Sequence, residues 1–105
     1  MPGSDALRRA VFHPEAGAEF DEAMAYYEHE APAVVDAFES EVTRAVVFIE
    51  RFPEAAPIDR GNVRCKLIAR FKYELYYAVE PDRLRVLALC HEKRRPGYWV
   101  ERLTR

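Results

Sequence analysis

Apolar positions change their spacing twice along this chain. Residues 7–12 (Leu-Arg-Arg-Ala-Val-Phe) read as a short first strand, which His13-Pro14 breaks. His13 then flanks a helix start with Pro14 in its first turn, where a missing N–H costs nothing. Glu15, Glu19, Asp21 and Glu22 load the first turns, which suits the positive end of a helix dipole. Ala16, Phe20, Ala23, Met24 and Tyr27 form the apolar stripe of a helix running to about Glu30. Pro32 ends that segment. A second helix is predicted from about Ala33 to Arg51, on the stripe Val34, Phe38, Val42, Ala45, Val46 and Ile49. Two such helices across a tight turn make an antiparallel hairpin, which Pro53 and Pro57 close.

The period then shortens from 3.6 to 2. Val63, Cys65 and Leu67 alternate with Arg64 and Lys66. Tyr73, Leu75, Tyr77 and Val79 alternate with Glu74, Tyr76 and Glu80. Leu84 to His91 is a third run, entered through the turn Pro81-Asp82-Arg83. The turn between the first two of these strands falls within residues 69–72, and its register is open. A one-residue slip there would exchange the faces. The expected fold is α+β in the order β-α-α-β-β-β. A helical hairpin packs on a twisted antiparallel sheet, the first strand joins that sheet, and a short segment follows the last strand. Residues 1–105 form a single domain, with 1–6 as a loose tail.

Composition supports a packed core: half the residues are hydrophobic, with six Tyr, six Phe and one Trp. The net charge of -2 hides a split. Residues 13–59 carry 12 acidic and 2 basic side chains, and residues 60–105 carry 12 basic and 5 acidic. Such asymmetry points to one face for an anionic partner, or to acidic helices and basic strands pairing with each other. Cys65 and Cys90 sit in apolar strand runs and read as small buried hydrophobes. Zinc would need a denser Cys/His cluster, so no metal and no cofactor is expected. No apolar run approaches the ~18 residues of a membrane span. Met1 to Asp5 lacks the basic-then-apolar order of a secretion signal, so the expected location is the cytoplasm.

The densest polar and aromatic stretch follows the last strand, from His91 through Lys93, Arg94, Arg95, Tyr98 and Trp99 to Arg102. Arginine stays charged and forks onto phosphates or carboxylates. Tyr98 and Trp99 offer flat faces for stacking, although a lone Trp in a small domain commonly packs in the core. Arg64 and Lys66 alternate on a strand and so share a face, which would extend the basic surface. The candidate target-binding set is Arg64, Lys66, Arg70, His91, Arg94, Arg95, Tyr98, Trp99 and Arg102.

The chain resembles the ParE branch of the RelE/ParE toxin superfamily, a plasmid-stabilisation family of bacterial toxin–antitoxin systems. Phe12-His13-Pro14-Glu15-Ala16, Ala25-Tyr26-Tyr27 and Val63-Arg64 carry the resemblance. So does Arg70-Phe71-Lys72-Tyr73-Glu74-Leu75-Tyr76-Tyr77, in which Lys72 replaces the family's usual proline. The ending His91-x-x-Arg94-Arg95-Pro96-x-Tyr98-Trp99-x-x-Arg102 matches most closely. The resemblance implies a toxin neutralised by a cognate ParD-like antitoxin and inhibiting DNA gyrase by binding. It also admits a RelE-like enzyme that cuts mRNA on the ribosome.

Such an RNase needs no metal, only a base, an acid and cations around the phosphate. Arg64, Lys66, Arg70, His91 and Tyr98 would supply them here. His91 brings an imidazole, the side chain most used for acid–base work, yet it also closes an apolar strand, where a histidine can simply serve the backbone. A non-toxic antitoxin-binding homologue is the third reading, kept open by a pI of 5.9.

Overall fold

The computed structural model describes residues 8–105. The expected loose tail and the first residue of the expected leading strand lie outside the described residues. Strand β1 is Ala10–Phe12, helix α1 Pro14–Glu30 and helix α2 Val35–Arg51, with a 3-10 turn at Pro32–Val34 between the helices. Strands β2 (Ile58–Arg60), β3 (Val63–Ile68), β4 (Tyr73–Val79) and β5 (Leu84–His91) follow. A 3-10 helix at Val100–Thr104 ends the fold.

The helices begin and end where local chemistry says they should. The His13 Nδ1 accepts the Glu15 amide N–H at 3.1 Å, so this imidazole caps α1 in the way Asn or Asp usually does. Pro14 occupies the first turn. The two helices pack along their apolar stripes, with Ala16, Ala23, Phe38, Val42, Ala45 and Ile49 buried. They cover one face of the sheet and meet Ile68, Leu75, Tyr77, Leu84, Val86 and Leu89 there. Phe38 is the aromatic centre, with Tyr27, Phe71 and Tyr73 rings within 5.2 Å or less of it.

The sheet order is β1-β5-β4-β3-β2. β3, β4 and β5 form the expected antiparallel meander. Two features differ from the expectation. The sheet is mixed, because β1 runs parallel to β5. The whole helical hairpin and the meander separate these two strands in sequence, and a connection that long permits a parallel pair. An additional strand, β2, flanks β3. Its three residues are too few to show a period.

A bulge in β5 sets the faces. Tyr76 is opposite Ala88 while Tyr77 is opposite Val86, so Leu87 is the extra residue. Alternation therefore slips at that point. Leu84, Val86 and Leu89 face the helices, whereas Leu87 and Ala88 face away. On the far face Val63, Ala78, Leu87, Ala88 and Trp99 form a second, smaller core. The chain after β5 folds across this face and closes it.

The β3–β4 turn holds two non-glycine residues in the left-handed region, Arg70 (φ 77°) and Lys72 (φ 55°). The proline common at the position of Lys72 in the ParE-like pattern could not adopt this angle. Lys72→Gly should stabilise the fold by about 0.5–1 kcal/mol and Lys72→Pro should cost more than about 1 kcal/mol in urea unfolding. A Lys72→Pro variant as stable as the parent would contradict the turn geometry.

His13 gives a pH prediction. Burial and nearby Arg105 push its imidazole below the usual 6.5. The neutral form, which keeps a lone pair on Nδ1 for the cap, is thus favoured in the folded chain. Its contribution is complete above the unfolded pKa and is lost as the pH falls through 6.5 toward the folded value. His13→Asn retains a cap and removes this titration. The urea midpoint of the parent should therefore drop more between neutral pH and pH ~5 than that of the Asn variant.

Candidate functional site

β1 is so short that it shields only the first half of the outer edge of β5. Its pairing stops at Phe12–Val86, and the His13 amide then donates to the Val86 carbonyl at 2.8 Å. Beyond this point the backbone groups of β5 need other partners. Glu19 on α1 accepts the Leu89 N–H at 3.0 Å. Arg102 donates to the Leu87 carbonyl at 2.9 Å. The two side chains also bond each other through two guanidinium N–H groups, each at 3.0 Å. The Tyr98 hydroxyl completes the set, donating to Glu19 at 2.7 Å.

This network changes the reading of the C-terminal residues. Arg102 is buried and committed to Glu19 and the sheet edge. Trp99 is 1% exposed, its ring tilted against that of Tyr76 with centres 4.9 Å apart and covered by the Arg60 guanidinium. Both residues serve the second core and present no surface to a target. Burial and the bond to Glu19 push the Tyr98 phenol well above its ordinary range, so it is a poor proton donor to a substrate. Arg85 fastens the end of the chain, donating to the carbonyls of Arg102 at 2.9 Å and Leu103 at 2.7 Å.

Arg64 and Lys66 share a face, as their alternation requires, but it is the helix-bearing one. Arg64 is opposite Tyr77 and donates to the carbonyls of Glu54 at 2.9 Å and Ala56 at 2.8 Å. It pins the loop after α2. The Lys66 ammonium sits 4.6 Å from the Phe48 ring centre. Arg70 turns toward α2 and approaches Glu41 at 3.9 Å.

The remaining candidates gather at one end of the sheet. His91 is opposite Tyr73, and the Glu92 amide donates to the Lys72 carbonyl at 2.8 Å, which joins the chain after β5 to the β3–β4 turn. Lys72, His91, Lys93, Arg94 and Arg95 are all exposed here. Among the described residues no acidic side chain pairs with Lys72, Lys93, Arg94 or Arg95. Arg94 is held in place by its 3.9 Å stacking distance to the Tyr98 ring centre. Lys72 and Lys93 were missed in the sequence because nothing along the chain says which lysines lack a carboxylate.

The nuclease set does not converge. Register places Arg64 level with Tyr77 and Val86, and His91 lies roughly 15 Å further along β5 and two strands across. Burial pushes the Cys65 and Cys90 thiols up to about 11, so neither is a ready nucleophile. Among the described residues no group of three or more His, Cys, Asp and Glu could hold a metal ion, and no helix is long and apolar enough to cross a membrane.

A second feature lies on the opposite side of α1. An apolar groove of about 340 Å³ runs between the helices, lined by Phe12, Gly17, Phe20, Val42 and Val46 among others. Val11 and Val47 are also exposed.

No family model matches this sequence, and no curated protein matches it. The fold does match a solved structure. A chain of the structure titled "Chromosomal ParDE TA system from P. aeruginosa" superposes with a TM-score of 0.69 at 14% identity. The match covers 82% of this chain and 97% of that one. The two chains therefore share a fold, the one that the residue pattern led us to expect.

Removing one partner of a buried pair leaves the other charged and unsatisfied. Arg102→Ala should therefore cost about 3–5 kcal/mol and shift Trp99 fluorescence to the red. The double change Glu19→Gln with Arg102→Met should cost less than the sum of the single changes. A loss below about 1 kcal/mol for Arg102→Ala would show that the pair does not hold the second core.

Proposed function

We propose that this chain is a ParE-like toxin of a type II toxin–antitoxin system, neutralised by a cognate ParD-like antitoxin. The observation that carries this reading is the fold shared with a chain of the ParDE TA system from P. aeruginosa along nearly the whole of that chain. The ordered residue pattern from Phe12 to Arg102 supports it independently. The apolar groove between α1 and α2 supports an antitoxin dock, since a short amphipathic helix binds by such a groove.

Free of its antitoxin, the toxin inhibits DNA gyrase by binding. The exposed cations after β5 favour contact with a partner that carries anionic surface, and they need no reacting group. The separation of Arg64 from His91 and the engagement of Tyr98 by Glu19 weigh against ribosome-dependent mRNA cleavage. In a supercoiling assay with purified gyrase, antitoxin-free protein should block supercoiling, and added antitoxin should restore it. Arg94→Ala with Arg95→Ala should weaken inhibition by at least about tenfold without lowering the melting temperature. Full supercoiling at excess protein would rule out the gyrase target.

A further inference from the structure

An open cleft of about 430 Å³ lies between α1 and the end of β5, within the size range of small-molecule sites. Its α1 wall is one helix face: Glu22, Ala23 and Tyr26, next to Glu19. Ala23 contributes only a methyl group, so the wall is recessed between its larger neighbours. Tyr26 is 58% exposed, an unusual degree for a tyrosine ring, and its edge meets Tyr27. The Glu22 carboxylate is exposed and makes no ion pair among the described residues.

The opposite wall holds Tyr73, His91, Lys93 and Arg94. The His91 Nδ1 accepts the Lys93 amide N–H at 3.2 Å. A neutral ring accepting there carries its proton on Nε2, which is then a donor. Arg94 is oriented by the ring of Tyr98, itself anchored on Glu19. One wall thus offers unpaired cations beside an imidazole N–H, and the other offers an exposed ring beside a free carboxylate. A complementary ligand is an anion at one end and a flat ring with N–H donors at the other.

We propose that this cleft binds a nucleoside monophosphate unit. The phosphate meets Lys93, Arg94 and the His91 N–H, and the base stacks on Tyr26 with its donor edge toward Glu22. Guanine fits best, because its N1–H and N2–H groups lie side by side and match the two oxygens of a carboxylate. An acidic peptide would satisfy the cations but would meet repulsion at Glu22 and leave Tyr26 without a partner. A free nucleotide and the terminal nucleotide of a strand share this chemistry. The inference does not depend on the toxin reading, although the cleft shares Lys93 and Arg94 with the surface proposed to meet gyrase.

Calorimetric titration of the full chain with GMP, guanosine, ribose 5-phosphate and a guanine-ended oligoribonucleotide bearing a 5′-phosphate tests it. GMP should bind at least tenfold more tightly than guanosine or ribose 5-phosphate. Tyr26→Ala should weaken GMP by roughly tenfold and leave ribose 5-phosphate unchanged. Arg94→Gln should remove the advantage of GMP over guanosine. Equal affinities for GMP and the oligonucleotide support a free-nucleotide site, and tighter oligonucleotide binding supports a strand end. No saturable GMP binding up to about 1 mM, or GMP no tighter than ribose 5-phosphate, would overturn the proposal. So would binding of a glutamate-rich peptide in place of GMP. A protein that binds GMP yet leaves gyrase fully active would retain the cleft and lose the toxin reading.

Discussion

The structure depends on completing the outer edge of β5. An unpaired strand edge inside a fold carries buried N–H and C=O groups that must find partners. β1 has three residues and pairs only as far as Val86. A helix residue and a C-terminal residue finish the edge, with Glu19 taking the Leu89 N–H and Arg102 giving to the Leu87 carbonyl. A carboxylate accepts and a guanidinium donates, so each alone would be a buried charge. Together they neutralise each other while serving the backbone.

Much else follows from that contact. It binds α1, on one face of the sheet, to the segment that crosses the other face. The segment is then held close enough for Trp99 to fill the far side against Val63, Ala78, Leu87 and Ala88. The bulge at Leu87 contributes by keeping Ala88 on the far face beside Leu87 and returning Leu89 to the helices, where alternation alone would have exchanged Ala88 and Leu89. Arg85 secures the last carbonyls of the chain. Arg60, from the strand too short to predict, closes over Trp99.

The same contacts sort the cations of the strand half. Arg60, Arg64, Arg85 and Arg102 are engaged by rings, carbonyls or carboxylates within the fold. Lys72, Lys93, Arg94 and Arg95 have no acidic partner among the described residues and stand together at one end of the sheet. Part of the basic surplus pairs with the acidic helices, as Glu19–Arg102 and Glu41–Arg70 do, and part stands exposed without an acidic neighbour among the described residues.

Periodicity was enough to place α1, α2 and the three strands of the meander, because a repeat of 3.6 or 2 is a local property written in successive residues. The proline positions and the acidic first turns marked the helix ends for the same reason. The resemblance at the C-terminus identified residues that matter without saying how. Trp99 and Arg102 look like a binding surface in one dimension, and only the folded chain shows that they face inward. Glu19 reads as an ordinary helix-dipole acid, since nothing local connects it with Arg102, 83 residues away. The side taken by Arg64 and Lys66 depended on the register of β3 against β4, which a turn of uncertain length leaves open. The sequence by itself determined the two helices, the leading strand, the three strands of the meander, their order and the fold class, but neither β2 nor the parallel pairing of β1. Tertiary structure alone decided which charges are internal ties and which are free, because that depends on contacts between residues far apart in the chain.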